Sequence, residues 1–243
     1  MNQIINKKNA VLFGILVLAT ILRLWKLGSI PPHLTSDEAA LGYNAYSILK
    51  TGRDEYGEFL PMVFKSFGDY KPGLYVYLTV PFVASFGLTE FAVRLPSTIV
   101  GIFAIWLIYL IVKELLGYES RITGLKDNAQ HVTRNRLTVE LLPIISALLL
   151  AISPWHIQFS RGAWEANISL TLTLAGIYFF LRALEKTWFL TLSSLFFSLT
   201  LLAYQGAKLS TLVVIFCLVV CFWKEFSHLV RRLPARWILS AAI

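Results

Sequence analysis

Apolar residues occur along this chain in runs that are separated by short polar segments. The runs are about 13 to 22 residues long, and a helix that crosses the ~30 Å hydrocarbon core of a bilayer needs about 20 residues. The pattern therefore predicts membrane-spanning helices whose ends extend into the flanking polar residues. The predicted spans are Ala10–Leu24, Leu95–Leu116, Leu141–Ser153, Ile168–Leu184, Trp188–Tyr204 and Leu209–Trp223, and a last one begins near Trp237.

Composition narrows the class of protein further. Hydrophobic residues make up 56% of the 243 residues and charged residues 15%, whereas soluble domains carry about 25% charged residues. These values exclude a soluble enzyme and a disordered chain. The net charge of +8 does not indicate a nucleic-acid partner, because the Lys and Arg residues lie in loops between apolar runs, where membrane topology explains them. Cys217 and Cys221 share one apolar run, which is not the pattern of a disulfide framework.

The segment Leu74–Phe86 decides on which side of the membrane the later loops lie. It has 13 residues and contains Pro81. If it does not cross, thirteen Lys and Arg residues lie on the cytoplasmic side, and only Arg161 and Lys208 lie in the short outer loops. If it crosses, eleven of those thirteen move outside. The positive-inside rule favours the first arrangement, which predicts a cytoplasmic N-terminus, a segment 74–86 at the outer interface or re-entrant, and a long first outer loop over residues 28–95.

The predicted outer loop is rich in acidic residues and begins with a helix. Seven of the fourteen Asp and Glu residues lie within residues 28–95. The pattern predicts a helix over Ala39–Lys50 that Gly52 ends, with Thr35 as N-cap and Glu38 closing a capping box. Asp37 then has two interpretations: an acid that suits the helix dipole, or a general base at the membrane surface. The two are compatible, because Glu38 can cap the helix while Asp37 points away.

Two further polar clusters are predicted to lie on the same side of the membrane as Asp37. The first contains Asp69 and Lys71, and Lys71 either snorkels to the headgroups or binds a lipid phosphate. The second, Ser153–Asn167, contains Arg161 and Glu165, which can pair on one helical turn or face a common site. Its His156 is either a structural histidine or part of that site. Three polar clusters at one face exceed what membrane anchoring requires, so we expect a shared outer site.

The motifs in these clusters resemble the bacterial branch of the protein O-mannosyltransferase superfamily. This is glycosyltransferase family 39, which also contains the enzyme that adds aminoarabinose to lipid A. The resemblance covers about Leu24 to Lys208, and its motifs occur in the family's order. They are PPHLTSDEAALGYNA at 31–45, TGRDEYG at 51–57, GDYKPGLYVY at 68–77, FAVRLPS at 91–97 and SPWHIQFSRGAWEAN at 153–167.

The resemblance implies an all-α polytopic membrane protein with a GT-C-type transmembrane helix bundle and juxtamembrane helices in the first outer loop. Such an enzyme moves a hexose, mannose-like or pentose sugar from a polyprenyl-phosphate lipid to an acceptor hydroxyl with inversion. The acceptor is a protein, lipid or glycan at the outer face of the plasma membrane. Because relatives are longer, we expect one transmembrane module over residues 1–243 that is truncated at its C-terminus.

The resemblance also implies roles for individual residues. Asp37 matches the catalytic aspartate, and Glu165 stands where the family has its second acid. Lys71 is expected to bind the donor phosphate with help from Arg161. A divalent metal ion is the candidate cofactor, with Asp37 and Glu165 as its candidate ligands. Candidate supporting residues are Glu38, Asp69, Tyr75 and His156.

Two other classes of protein remain open from the sequence. A transporter or flippase usually carries ionisable residues within its spans, and the runs 99–109 and 170–181 carry none. A non-catalytic assembly subunit could use the acidic loop for docking, and it would not require Asp37, Lys71 and Glu165 to converge.

Overall fold

The structure is a computed structural model that describes residues 2–66, 68–122 and 129–232. Within these residues the chain forms ten helices and one two-stranded antiparallel hairpin. In chain order the elements are α1 Asn2–Leu24, α2 Ser36–Thr51, β1 Val63–Ser66, β2 Asp69–Pro72, α3 Leu74–Phe86, α4 Glu90–Ile122, α5 Ala129–Ile152, α6 Pro154–Arg161, α7 Glu165–Ala183, α8 Phe189–Ala203, α9 Ala207–Cys221 and α10 Trp223–Arg232.

The helices follow the apolar runs and extend beyond most of them, and the predicted all-α membrane architecture is confirmed. By length and composition, α4 and α7 can each cross a membrane. The pairs α5–α6 and α9–α10 are bent by 57° and 89°, so the described residues contain up to four spans if each pair counts as one. The last predicted span, from Trp237, lies outside the described residues. So do residues 123–128, which belong to the polar segment between the second and third predicted spans.

Helix α3 lies across one end of the helix bundle. The Tyr75 hydroxyl, in its first turn, donates a hydrogen bond to the carbonyl of Val93 in the first turn of α4 at 3.0 Å. Its apolar face packs on α2 around Leu41, Ala45 and Val76 in one buried cluster. Both ends of α3 therefore lie at the same end of the bundle. We call α2, the hairpin and α3, residues 36–86, the cap.

Small and polar residues bring α4 close to α6 and α7. A Cβ placed on Gly101 would lie 2.2 Å from Ser160 Oγ, so only glycine permits this approach. Asn167 Nδ2 donates to the carbonyl of Ser97 at 2.8 Å, and Thr98 Oγ1 donates to the carbonyl of Ser160 at 2.8 Å. Such interhelical hydrogen bonds stabilise packing in membranes, where apolar contact alone gives little preference. They fix the turn between α6 and α7 next to the cap.

Candidate functional site

A cavity of about 340 Å³ lies between the cap and the helix ends beneath it. Three separate parts of the chain line it: the cap, the turn from α6 into α7, and the turn from α8 into α9. The lining side chains include three carboxylates and one lysine among aromatic residues. They are Asp37, Leu41, Asp69, Tyr70, Lys71, Pro72, Phe159, Ala163, Trp164, Glu165, Ala166, Tyr204 and Gln205.

Asp37 and Lys71 form an ion pair at this cavity. Asp37 lies in the first turn of α2, and Lys71 lies in β2, opposite Phe64 of β1. Lys71 Nζ donates to Asp37 Oδ1 at 2.5 Å. The side chain of Asp37 is 55% exposed and that of Lys71 is 15% exposed. The lysine therefore presents its charge beside the aspartate at the cavity wall.

Glu165 is the first residue of α7 and lines the same cavity. It is half-buried, and its Oε1 is buried without a hydrogen-bond partner in the described part of the chain. A buried carboxylate oxygen without a partner is costly, so this position favours a ligand that supplies a proton donor or a cation. Glu165 thus shares a cavity with Asp37 and Lys71.

Asp69 and Tyr70 shape the cavity wall formed by the hairpin. Asp69 Oδ1 accepts a hydrogen bond from the backbone N–H of Tyr70 at 2.7 Å. Gln205 Nε2 donates to the carbonyl of Tyr70 at 3.3 Å, which links the α8–α9 turn to β2. Asp69, predicted as a supporting residue, therefore lines the cavity and orders the strand beside Lys71.

Glu38 points away from the cavity and holds the surrounding backbone. It forms the predicted capping box with Thr35. Its Oε1 accepts from Arg94 Nε at 3.0 Å and from the backbone N–H of Ala163 at 2.9 Å. Although burial raises the pKa of Glu38, its hydrogen bonds with Arg94, Thr35 and Ala163 outweigh that effect and lower it. Glu38 therefore joins α2, α4 and the α6–α7 turn as an ionised positioning residue.

The structure corrects the expectation for Arg161. Its guanidinium neither lines the cavity nor pairs with Glu165; it is buried against the end of α1 and the segment that follows. It donates to four backbone carbonyls, those of Leu22 at 2.9 Å, Arg23 at 3.3 Å, Trp25 at 2.7 Å and Ile30 at 2.8 Å. Arg161 therefore satisfies backbone groups where we expected a phosphate contact.

Tyr75 and His156 also lie away from the cavity. Tyr75 is fully buried on Val93, as described above. His156 is buried in α6 with its Nδ1 2.8 Å from Arg23 Nη2. Arg23 in turn donates to the carbonyl of Ala151 at the end of α5, at 3.0 Å. These two predicted supporting residues hold helices together beneath the site and do not face it.

A metal ion at this cavity would be bound jointly by the protein and the substrate, and not by protein ligands alone. No group of three or more His, Cys, Asp or Glu side chains in the described ranges is arranged to hold a metal ion. Asp37 is paired with Lys71, whereas Glu165 Oε1 has no partner. Mg²⁺ is commonly bound by one or two carboxylates together with substrate phosphates. Asp37 and Glu165 line one cavity and are the residues that would hold such an ion together with a phosphate.

Sequence reasoning assigned no role to three residues that line the cavity. They are Trp164, Tyr204 and Gln205. Their signal in the sequence is an aromatic residue two positions from a glycine at a helix end: Gly162 precedes Trp164, and Gly206 follows Tyr204. Gln205 carries no such signal, because a single polar residue between two apolar runs is typical of any turn.

Comparison with known families identifies the first half of the chain. Residues 14–125 match the family model of dolichyl-phosphate-mannose-protein mannosyltransferase. Searches of curated proteins and of solved structures gave no significant match. The matched residues contain the C-terminal part of α1, the cap and α4, and therefore Asp37 and Lys71. The match indicates a membrane glycosyltransferase of the GT-C class that uses a polyprenyl-phosphate sugar donor. Residues 14–125 are thus similar to this mannosyltransferase family, and the resemblance predicted from the motifs within that range is confirmed.

Proposed function

We propose that this protein transfers a hexose or pentose from a polyprenyl-phosphate carrier to an acceptor hydroxyl at the outer face of the plasma membrane, with inversion. One observation carries the proposal. Asp37, Lys71 and Glu165 come from three distant segments and line a single cavity at the cap. A non-catalytic docking subunit does not require that convergence. The acceptor belongs to one of three classes: a protein, a lipid or a glycan.

Lys71 is proposed to bind the phosphate of the donor. The sugar leaves from a phosphate, which is already a good leaving group, so the reaction needs positive charge more than a strong general acid. The mostly buried ammonium of Lys71 lies at the cavity wall and donates to Asp37. A phosphate beside it would place the anionic leaving group next to the aspartate. Lys71 then holds the donor and the base within one site.

Asp37 is proposed to act as the general base. It accepts the proton of the acceptor hydroxyl as the oxygen attacks the anomeric carbon and the bond from that carbon to the phosphate oxygen breaks. One carboxylate is sufficient for a single displacement with inversion. More than half of the Asp37 side chain is exposed, so an acceptor can approach it from solvent while the donor lies on the protein side.

Glu165 is proposed to position the reactants in the same cavity. Its unpartnered Oε1 can accept a hydrogen bond from a sugar or acceptor hydroxyl. When bound between Asp37, Glu165 and the donor phosphate, a divalent ion would neutralise charge on the leaving phosphate. Removal of divalent ions with EDTA during the assay below tests that part of the proposal.

A transfer assay tests the proposed function. The full chain is reconstituted in liposomes with polyprenyl phosphates that carry mannose, glucose or aminoarabinose and with an acceptor from each of the three classes, and release of sugarless polyprenyl phosphate is measured. We expect release for at least one of these donors, and none from Asp37→Asn prepared in parallel. Equal release by wild type and D37N would contradict the proposal. Movement of intact lipid between leaflets without release would indicate a flippase.

Cysteine accessibility tests the proposed sidedness. Cys217 and Cys221 are exposed and are first replaced by serine. Single cysteines at Ser36 and Lys208, near the cavity, should then react in intact cells with a membrane-impermeant reagent, whereas one at Lys186 should not. Reaction at Lys186 alone would place the cavity on the cytoplasmic side.

A further inference from the structure

Two aromatic rings at the cavity are each folded back over a glycine. Trp164 and Tyr204 are 40% and 39% exposed, and both line the cavity. A Cβ placed on Gly162 would lie 2.4 Å from Trp164 Nε1, and one on Gly206 would lie 2.5 Å from Tyr204 Cε1. Real Cβ atoms do not approach other atoms this closely. Any larger residue at either glycine would displace the ring.

The backbone does not itself require glycine at these two positions. Gly162 has φ −105° and ψ 164°, and Gly206 has φ −64° and ψ −20°. Both conformations lie in regions that other residues adopt readily. The close approach of the ring is therefore what restricts each position to glycine. Two unrelated turns thus use the same steric device to orient a ring at one cavity.

The surroundings of the two rings indicate what they contact. Glu165 follows Trp164, Gln205 follows Tyr204, and Asp69 lines the same cavity. Glu165 Oε1 has no hydrogen-bond partner among the described residues, and covering it with a hydrocarbon chain would leave it so, which is costly. A sugar ring suits the combination, because it presents C–H faces to aromatic rings and hydroxyls to carboxylates and amides. The cavity volume of about 340 Å³ is near the lower end for ligand pockets, about 300–1,000 Å³, and fits a monosaccharide.

We propose that Trp164 and Tyr204 form the platform for the transferred sugar, and that Gly162 and Gly206 fix the orientation of the two rings. This inference rests on the proposed function, because it locates the sugar of the same lipid donor. It makes Trp164 and Tyr204 specificity-determining residues. Lys71 contacts the phosphate and Asp37 the acceptor, so the three parts of the reaction have separate residues.

Binding measurements on the full chain in detergent test the inference. The probes are the polyprenyl phosphate whose sugar (mannose, glucose or aminoarabinose) the wild type binds most tightly, and the same lipid phosphate without a sugar. Trp164→Leu and Tyr204→Leu should each weaken binding of the sugar-bearing lipid by about two- to tenfold. Binding of the sugarless lipid should not change. Trp223→Leu is the matched control, because Trp223 is 62% exposed and does not line the cavity, whereas Trp155 packs on Phe159 and, through it, on Trp164.

The glycine variants provide a second test that leaves both rings in the chain. Gly162→Ala and Gly206→Ala should weaken binding of the sugar-bearing lipid alone, because each moves a ring. Gly14→Ala is the control, since a Cβ at Gly14 in α1 meets nothing within 4 Å. These variants decide the matter if the leucine variants fail to fold.

The outcomes separate failure of this inference from failure of the proposed function. If the wild type binds neither lipid, the proposed function fails and the inference fails with it. If the wild type binds both lipids equally, or the variants leave the affinity for the sugar-bearing lipid unchanged, the sugar platform is wrong while donor binding stands. An equal loss for both lipids would show that the rings contact the phosphate or the isoprenoid chain, which also overturns the platform.

Discussion

Asp37 and Glu38 are neighbours in the sequence with opposite environments. The side chain of Asp37 is 55% exposed at the cavity and has Lys71 as its partner. The side chain of Glu38 is 6% exposed and pairs with Arg94, whose side chain is fully buried. Arg94 also donates to carbonyls of the segment before α2, those of Leu27, Pro31 and His33. Two successive acids at one helix start therefore have different roles. Asp37 faces the cavity, and Glu38 fixes the backbone that orients Asp37.

The difference follows from helix geometry. Successive residues in a helix point about 100° apart, so one can face the cavity while the next faces the interior. Glu38 occupies the third helical position, where its carboxylate returns to the backbone N–H of Thr35 at 2.9 Å. The motif Thr-Ser-Asp-Glu thus encodes a rigid helix start in which Glu38 caps the helix and Asp37 stays exposed at the cavity.

Asp37→Asn should give the largest effect, and it should affect turnover alone. Loss of a general base typically lowers the rate by about 10²–10⁴-fold, and the exposed side chain contributes little to folding. The measurement is release of polyprenyl phosphate together with thermal unfolding in detergent. Glu58→Gln, an exposed carboxylate of the same cap, is the control. Near wild-type turnover in D37N would remove Asp37 from the mechanism.

Glu38→Gln should give the opposite result, a loss of stability. Breaking a buried ion pair by neutralising one partner costs about 3–5 kcal/mol, because the remaining charge stays buried. We expect a clear fall in the free energy of unfolding, measured by denaturant titration in detergent micelles. The contrast between the two acids would be wrong if E38Q unfolded like wild type, or if D37N were destabilised as much as E38Q.

Lys71→Met should mainly weaken donor binding. A hydrogen bond to a charged group contributes about 1.5–3 kcal/mol, so the KM for the lipid donor should rise roughly 10- to 100-fold. Lys65→Met is the matched control, since Lys65 lies on the partner strand and contacts the ring of Tyr56. An unchanged KM in K71M, measured over a range of donor concentrations, would return Lys71 to a role in contacting headgroups.

The smallest expected effect is the loss, at acid pH, of the stability that the ionised Glu38 contributes. Its pKa is lower in the folded protein than its ordinary value of 4.5. The ionised pair therefore stabilises the protein fully above that ordinary value, and the stabilisation is lost as the pH falls through the folded pKa. Between roughly pH 5 and pH 3, the melting temperature of wild type should fall more steeply than that of E38Q. Parallel pH profiles for the two proteins would contradict this linkage.

Local motifs were predictable from the sequence, because short-range geometry determines them. The capping box at Thr35 and the end of α2 at Gly52, whose φ is 68°, occur where the pattern predicted them. The helices over the apolar runs were predictable from hydrophobic pattern, although only two of them, or four if each bent pair counts as one, qualify as spans among the described residues. Asp37, Lys71 and Glu165 were predicted from the family resemblance of their motifs, because their residue types alone left other roles open, and their roles in catalysis stay a prediction.

Long-range partners were not predictable, since nothing local encodes them. Arg161 and Glu165 are four residues apart, and spacing alone favours a pair. In the structure Arg161 instead reaches carbonyls more than 130 positions earlier. The hairpin of residues 63–72 was missed because each of its strands has only four residues, which is too short for a pattern to indicate a strand. The roles of Gly162 and Gly206 depend on which way a ring turns, and only the fold reveals that.

The contacts of Arg161 also have a consequence for the timing of biosynthesis. The carbonyls that it binds lie at residues 22 to 30, and the most distant of them in the sequence, that of Leu22, lies 139 positions before Arg161. At a synthesis rate of about 5–20 residues per second, the 131 residues between Ile30 and Arg161 take about 7 to 26 s to make. During that interval water must satisfy these carbonyls. The segment that leads into α2 therefore makes its final contacts only after α6 has been made. The cavity forms later still, because it needs Gln205 of the α8–α9 turn, so the ribosome sets the earliest moment at which it can exist.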